Sequence, residues 1–161
     1  MAAVRVGMGF DVHSYATDPA RPLVLAGVTF PGERGLAGHS DADVVAHAVA
    51  DAVLGAAGLG DIGLHFPDTD PAWQGADSLQ LLAEAARRAS DAGWRVVNID
   101  CSVVLESPRL APHRAAMQDR LASVVEAQVN VKAKRAEGLG ALGRAEGIAC
   151  FAVVLLESTA G

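Results

Sequence analysis

The run from Ser40 to Gly55, SDADVVAHAVADAVLG, constrains the fold more than any other stretch of the chain. Ser40 is a favourable N-cap and Asp43 places an acid three positions on. Ala and Val residues follow and a glycine closes the run, which are the start and stop signals of a helix. Side chains this small let a helix lie close on its neighbour. Composition agrees: of 161 residues 51% are hydrophobic but only 4% aromatic, so the core must be assembled mainly from Ala, Val and Leu. Small-residue helices packed closely on a sheet are therefore expected.

Around this helix the pattern supplies strands and two more helices. Val4 to Met8 reads as a first strand, followed by a polar turn region from Ser14 to Arg21 and a short apolar run from Leu23 to Val28. Asp77-Ser78 can cap a second helix with Leu79, Leu82, Ala83 and Ala86 on one face, closing near Gly93. Val96 to Leu105 alternates with the period of a half-buried strand. Pro112 begins a third helix on which Met117, Leu121 and Val125 recur at helical spacing. Val129 to Ala133 and Ile148 to Leu156 read as two further strands separated by a Gly-rich turn. The expected architecture is α+β, with helices on one side of a roughly four-stranded mixed or antiparallel sheet. No repeat, linker or low-complexity stretch divides residues 1–161, so one domain is expected.

A formal charge of −6 argues against a broad basic surface for nucleic acid or anionic lipid, so neither is expected as a partner. No signal-peptide pattern and no membrane-length apolar run is found, and a cytoplasmic location is the expectation. Cys101 and Cys150, both in apolar runs, suit buried hydrophobes better than a disulfide or a metal knuckle.

Chemistry concentrates in three places. Asp11 and His13 stand two apart just after the first strand, so an extended backbone points both side chains to one side. His39, Asp43 and His47 are spaced four apart around the start of the Ser40 helix and align on one face if it begins early enough. Asp11, His13 and His47 could then share one metal ion with an open coordination position. On spacing alone, a lone histidine such as His47 on an apolar helix is more often a hydrogen-bonded core residue than a ligand, and Asp-x-His also occurs by chance. The third place is the stretch from Ala56 to Ala76, rich in Gly, Asp and Pro, too long for a simple connector and rich enough in apolar residues to favour a functional loop.

The segments Gly9-Phe10-Asp11-Val12-His13, Gly38-His39-Ser40-Asp41-Ala42-Asp43 with His47, Gly60-Asp61-Ile62-Gly63 and Phe66-Pro67-Asp68-Thr69-Asp70-Pro71 closely resemble the 2-C-methyl-D-erythritol 2,4-cyclodiphosphate synthases of the non-mevalonate isoprenoid pathway. The resemblance continues through Ser107-Pro108-Arg109, Val131-Lys132-Ala133, Glu137-Gly138-Leu139-Gly140 and Gly143-Arg144, nearly the whole chain. It implies a homotrimer with active sites between subunits, acting on a cytidine-diphosphate substrate. The product would be a cyclic diphosphate, with release of CMP. By the same resemblance Asp11, His13 and His47 match Zn²⁺ ligands, and Glu137 matches the ligand of a second ion, Mg²⁺ or Mn²⁺, on the diphosphate. His39 and Ser40 match contacts to the attacking phosphate, His39 among the catalytic positions. Asp61, Ile62 and Gly63 match the part holding the substrate hydroxyls, and Phe66, Pro67, Asp68, Thr69 and Asp70 match the loop closing over it. Leu105, Glu106, Ser107, Pro108, Arg109, Leu110 and Ala133 match the cytidine pocket, with Lys134 beside it on the substrate. Phe10 and Arg144 match residues lining the central cavity of the trimer, Arg144 also reaching substrate.

Two positions depart from the family pattern. Arg135 stands where a threonine usually contacts the diphosphate and counts as catalytic; a guanidinium can meet a diphosphate in bidentate fashion but is bulkier than a hydroxyl. A homologue that binds metal and cytidine nucleotide with lost or altered turnover is the alternative that this replacement raises. Ala145 replaces a usual glycine, which calls for a slightly different backbone there. Elsewhere the bland readings compete. Asp68 and Asp70 also fit a solvated turn, and Lys132, Lys134 and Arg135 also fit exposed edge-strand charges. Arg87, Arg88 and Glu126 read simply as solvent-facing charges on helices. The metal triad itself also matches the ligand set of a non-haem iron oxygenase.

Overall fold

The computed structural model describes residues 2–160. Four strands form the main sheet: β1 (Val4–Ser14), β4 (Trp94–Val104), β5 (Gln128–Lys134) and β6 (Gly147–Ser158), in the order β1-β6-β4-β5. β6 pairs antiparallel with both β1 and β4, while β4 and β5 run parallel. The sheet is thus mixed. The apolar run beginning at Leu23 is not one strand but a separate hairpin, β2 (Leu23–Leu25) and β3 (Val28–Phe30). Ala26 and Gly27 turn it with φ of 52° and 71°, the left-handed pair that two-residue hairpins favour.

The helices are α1 (Val44–Ala57), α2 (Ile62–His65), α3 (Ser78–Asp91), α4 (Arg114–Val125) and α5 (Gly140–Gly143). α1 packs against β1 and β6, α3 against α1 and β4, and α4 against β5. Odd-numbered residues of β1 face α1, whereas Val4, Val6, Met8, Phe10 and Val12, with Phe151 and Val153 of β6, are exposed on the opposite face. The helices therefore cover one side only. Among the described residues no helix is long and apolar enough to cross a membrane.

The small side chains of α1 meet glycines on the sheet. A Cβ on Gly7 would overlap the carbonyl of Ala52, and one on Gly9 would overlap the carbonyl of Ala48. Helix and strand thus touch backbone to backbone, an approach open only without side chains between them. This contact brings His47, the neighbour of Ala48, over β1 where Asp11 lies.

The start of α1 differs from the sequence expectation. Asp43, not Ser40, is the N-cap, and the helix runs through Gly55 to a C-cap at Gly58 with φ 75°. Asp43 is fully buried; one oxygen accepts from the N–H groups of Ala26, Val45 and Ala46 and the other from that of Gly27. Its carboxylate is occupied in tying the hairpin to the helix, so the expected stripe of His39, Asp43 and His47 on one helix face does not form. His39 and Ser40 instead lie on the loop before the helix. Both cysteines are buried and free, as expected.

Candidate active site

β1 continues past Met8 to Ser14, so Asp11 and His13 lie on the strand and share its helix-facing side. The segment at Gly35 to Ala37 runs beside the end of β1, with hydrogen bonds from Ala16 N–H to the Gly35 carbonyl at 2.8 Å and from Ala37 N–H to the Ser14 carbonyl at 2.8 Å. This places the Ala37 carbonyl 2.7 Å from Nδ1 of His13. Because a carbonyl only accepts, Nδ1 carries the proton and Nε2 of the neutral ring is an acceptor. Gly38 leaves room for the ring: a Cβ there would lie 3.2 Å from His13 Nδ1 and 2.8 Å from the Ala42 methyl.

His47 is oriented by a parallel argument. Its Nε2 lies 2.8 Å from the hydroxyl of Ser78 and 3.1 Å from that of Ser40. Ser78 is fully buried and gives its own hydroxyl proton to the Asp41 carboxylate, which can only accept. Ser78 therefore accepts from His47 Nε2–H, and the neutral ring turns an unprotonated Nδ1 toward Asp11. Sequence reasoning missed this use of Ser78, whose position reads locally as a helix start.

Three acceptor atoms now converge. Asp11 Oδ2 is 2.9 Å from His13 Nε2 and 3.0 Å from His47 Nδ1, and the two nitrogens are 3.3 Å apart. An ion bound tetrahedrally at about 2.0–2.1 Å from N and O ligands separates them by about 3.3 Å. The nitrogen–nitrogen side of the triangle matches that separation, and the two sides to Asp11 are slightly shorter. Only a cation or a proton reconciles them, so the three form a group that could hold a metal ion. Electrostatics agrees that the cluster calls for positive charge: burial pushes the Asp11 carboxyl up, but a proton on the facing nitrogen of His13 or His47 outweighs it and holds the group well below the usual carboxylate range. Burial likewise pulls His13 down, and the Asp11 carboxylate more than reverses this.

The triad opens into a cavity of about 490 Å³ lined by Gly38, His39, Ser40, Ile62, Gly63, Phe66, Pro67, Asp68, Trp73 and Leu81 besides the three ligands. Trp73 and Leu81 were not expected there. Arg21 supports the His39 side through bonds to the carbonyls of Leu36 and Ser40. Asp61 points elsewhere: it caps α2 through the Leu64 N–H at 2.8 Å. Asp70 similarly caps the short 3₁₀ turn at Pro71–Trp73 through the Ala72 N–H at 2.9 Å. Neither Asp61, Thr69 nor Asp70 lines the cavity.

A second group of expected residues gathers where β4 and β5 end side by side. Leu105 N–H donates to the Lys134 carbonyl at 3.0 Å, placing the segment Leu105 to Leu110 next to Ala133, Lys134 and Arg135. Both Nε and Nη2 of Arg135 reach one oxygen of Glu106, at 2.9 and 2.7 Å, and Ala136 N–H reaches the other at 2.9 Å. Glu137 follows with φ 53°. None of these residues lines the cavity of the triad. Phe10 lies on the exposed sheet face, its ring 4.8 Å from that of Phe151, and Arg144 pairs with Glu146 at 2.6 Å.

Known proteins share the sequence and the fold of this chain. The model of the YgbB family matches residues 4–157. A 2-C-methyl-D-erythritol 2,4-cyclodiphosphate synthase of Bordetella petrii is 56% identical over 155 residues, 94% of either chain. The bifunctional enzyme IspD/IspF of Anaeromyxobacter dehalogenans is 54% identical over 99% of this chain, which spans only 42% of that longer protein. Among solved structures, the CDP complex of IspF from Plasmodium falciparum superimposes with a TM-score of 0.83 at 30% identity, covering 97% of each chain. With a match running from the first strand to the last, this chain belongs to the YgbB family, whose named relatives include the 2-C-methyl-D-erythritol 2,4-cyclodiphosphate synthases.

Proposed function

We propose that the chain, acting as one domain, converts 4-diphosphocytidyl-2-C-methyl-D-erythritol 2-phosphate into 2-C-methyl-D-erythritol 2,4-cyclodiphosphate and CMP in isoprenoid biosynthesis. The observation that carries this reading is the inward-facing triad of Asp11, His13 and His47 in a chain 56% identical to a named synthase over 94% of both lengths. An oxygen of the substrate's 2-phosphate forms a bond to the β-phosphorus, the bond from that phosphorus to the bridging oxygen breaks, and CMP leaves with that oxygen. No redox change occurs. The protein's work is alignment and neutralisation of charge.

Asp11, His13 and His47 would hold Zn²⁺, which when bound supplies a Lewis acid to a phosphate oxygen. His39 and Ser40, on the loop beside the triad, bind the attacking 2-phosphate. Ile62, Gly63, Phe66, Pro67 and Asp68 form the wall around the methylerythritol, with Asp61, Thr69 and Asp70 shaping that wall. The segment Leu105 to Leu110, with Ala133 and Lys134, takes the cytidine; a cytidine nucleotide as ligand is supported by the CDP complex of the Plasmodium relative. Glu137 would hold Mg²⁺ or Mn²⁺ on the diphosphate. Arg135 contacts the same diphosphate and exchanges Glu106 for it.

The cytidine group and the triad group occupy different parts of the chain, and a homotrimer with sites between subunits joins one group to the other's neighbour. The exposed apolar strip of Val4, Val6, Met8, Phe10 and Val12 supports such an assembly, because a sheet face of this kind requires covering. Phe10 and Arg144 would then line the central cavity. The reading of a binding homologue without turnover is not favoured. Mass analysis of product from purified protein, substrate and Mg²⁺ tests the proposal; appearance of cyclic diphosphate and CMP in equal amounts is the expected result, and CDP binding without either product would overturn it.

A further inference from the structure

The wall of the cavity is held from behind by a side chain with no place in the chemistry proposed above. We propose that Arg88 of α3 is a positioning residue that seats the segment Ile62–Trp73, and with it Phe66 and Pro67, against the site. Three contacts of one guanidinium carry this. Nη1 donates to Nδ1 of His65, Cζ lies over the Phe66 ring 5.3 Å from its centre, and Nε donates to Glu84 at 2.7 Å. His65 can accept because its other nitrogen donates to the Leu59 carbonyl at 2.7 Å, which leaves Nδ1 unprotonated. The Phe66 ring, in turn, stands edge-on to Trp73 at 5.1 Å, and both line the cavity.

The segment is tied at its ends by its own N–H groups: Ile62 N–H donates to the Asp51 carboxylate at 3.1 Å and Gly75 N–H to the His39 carbonyl at 2.9 Å. Between those two ends, Arg88 anchors the segment together with the bond from His65 to the Leu59 carbonyl. Its geometry needs a planar fork, since one group must bridge Glu84 and His65 while stacking on a ring; an ammonium makes only part of this set. Arg87, beside it, bonds only Glu84 and Asp91 and is 58% exposed, so it serves as the internal control.

The test compares Arg88→Met, Arg88→Lys and Arg87→Met by amide hydrogen exchange over residues 62–73. Trp73 emission is followed alongside in a Trp94→Phe background. Arg88→Met is expected to accelerate exchange in that segment about tenfold, Arg88→Lys to recover part of the protection, and Arg87→Met to change nothing. Unchanged exchange in Arg88→Met would overturn the proposal. Should that variant fail to fold, Glu84→Ala releases the Nε end of Arg88 with His65 and its bond to Leu59 intact, and Arg87→Met controls for the bond that Arg87 shares; faster exchange than in Arg87→Met supports the proposal and unchanged exchange overturns it. The kinetic consequence rests on the synthase reading: KM for the substrate rises about tenfold with kcat within about twofold, because the segment grips ground state and transition state alike. A wild-type protein without turnover would sink the synthase reading and leave the exchange comparison to decide the role of Arg88.

Discussion

Asp11, His13 and His47 converge into a group that could hold a metal ion because of atoms that no spacing rule names. The Ala37 carbonyl selects the tautomer of His13, and the Ser78 hydroxyl, itself spent on Asp41, selects that of His47. Removing the latter support with Ser78→Ala leaves His47 Nε2 only the longer contact with Ser40, which loosens the hold on its ring and tautomer. Zinc affinity measured by chelator competition should fall about 10–100-fold, with the fold retained. Unchanged affinity would show that the triad is oriented without Ser78. Asp11 and His13 were legible because a two-residue spacing on a strand has one geometric meaning. Ser78 was not legible, because its role depends on Asp41, 37 positions away in the chain. Ala145 was legible as an anomaly, and the structure keeps the left-handed backbone there, φ 56°, despite the methyl group. Arg88 was misread as solvent-facing, since a helix pattern records which residues are charged and not what approaches them from another element.

The elements were easier to read than their ends. Ser40 and Asp43 both look like caps; the structure chooses Asp43 because the β2–β3 turn arrives to share its carboxylate, a tertiary event. Four backbone donors converge there, so Asp43→Ala should cost about 3 kcal/mol in urea unfolding, more than an ordinary cap. A loss under 1 kcal/mol would mean the hairpin finds other partners. α3 carries a second, weaker device: Arg87 and then Arg88 hold the Glu84 carboxyl down at about 2 from its usual 4.5. A depressed carboxylate adds stability that is fully present above the unfolded value and fades as pH falls toward the folded one. The difference in melting temperature between wild type and Glu84→Gln should therefore shrink between about pH 5 and pH 2, and shrink further in salt, since these groups are near the surface. A difference independent of pH would assign the effect to packing.

At the scale of the molecule, a roughly four-stranded sheet with helices on one face followed from alternating strands and helical spacing, and the structure has it; that the sheet is mixed rather than antiparallel is decided by the parallel pairing of β4 and β5. What pattern alone could not supply is why β1 is apolar on its outward side, since alternation predicts water there. Copies of the chain covering that face are the proposed reason. Met8→Asp places a charge in the middle of the strip, where the side chain is 63% exposed in the single chain. Sedimentation should then change from trimer to monomer with the circular dichroism spectrum unchanged, and turnover should vanish with the assembly; a trimer that survives the charge would place the subunit contact elsewhere.

The most direct test of the central claim is zinc-dependent turnover. Purified protein is incubated with 4-diphosphocytidyl-2-C-methyl-D-erythritol 2-phosphate and Mg²⁺, as prepared, after zinc removal by a chelator, and after zinc is restored. The account predicts equal amounts of CMP and cyclic diphosphate, lost on removal and recovered on return. Full turnover in the zinc-depleted protein, or no product under any of the three conditions, would contradict it.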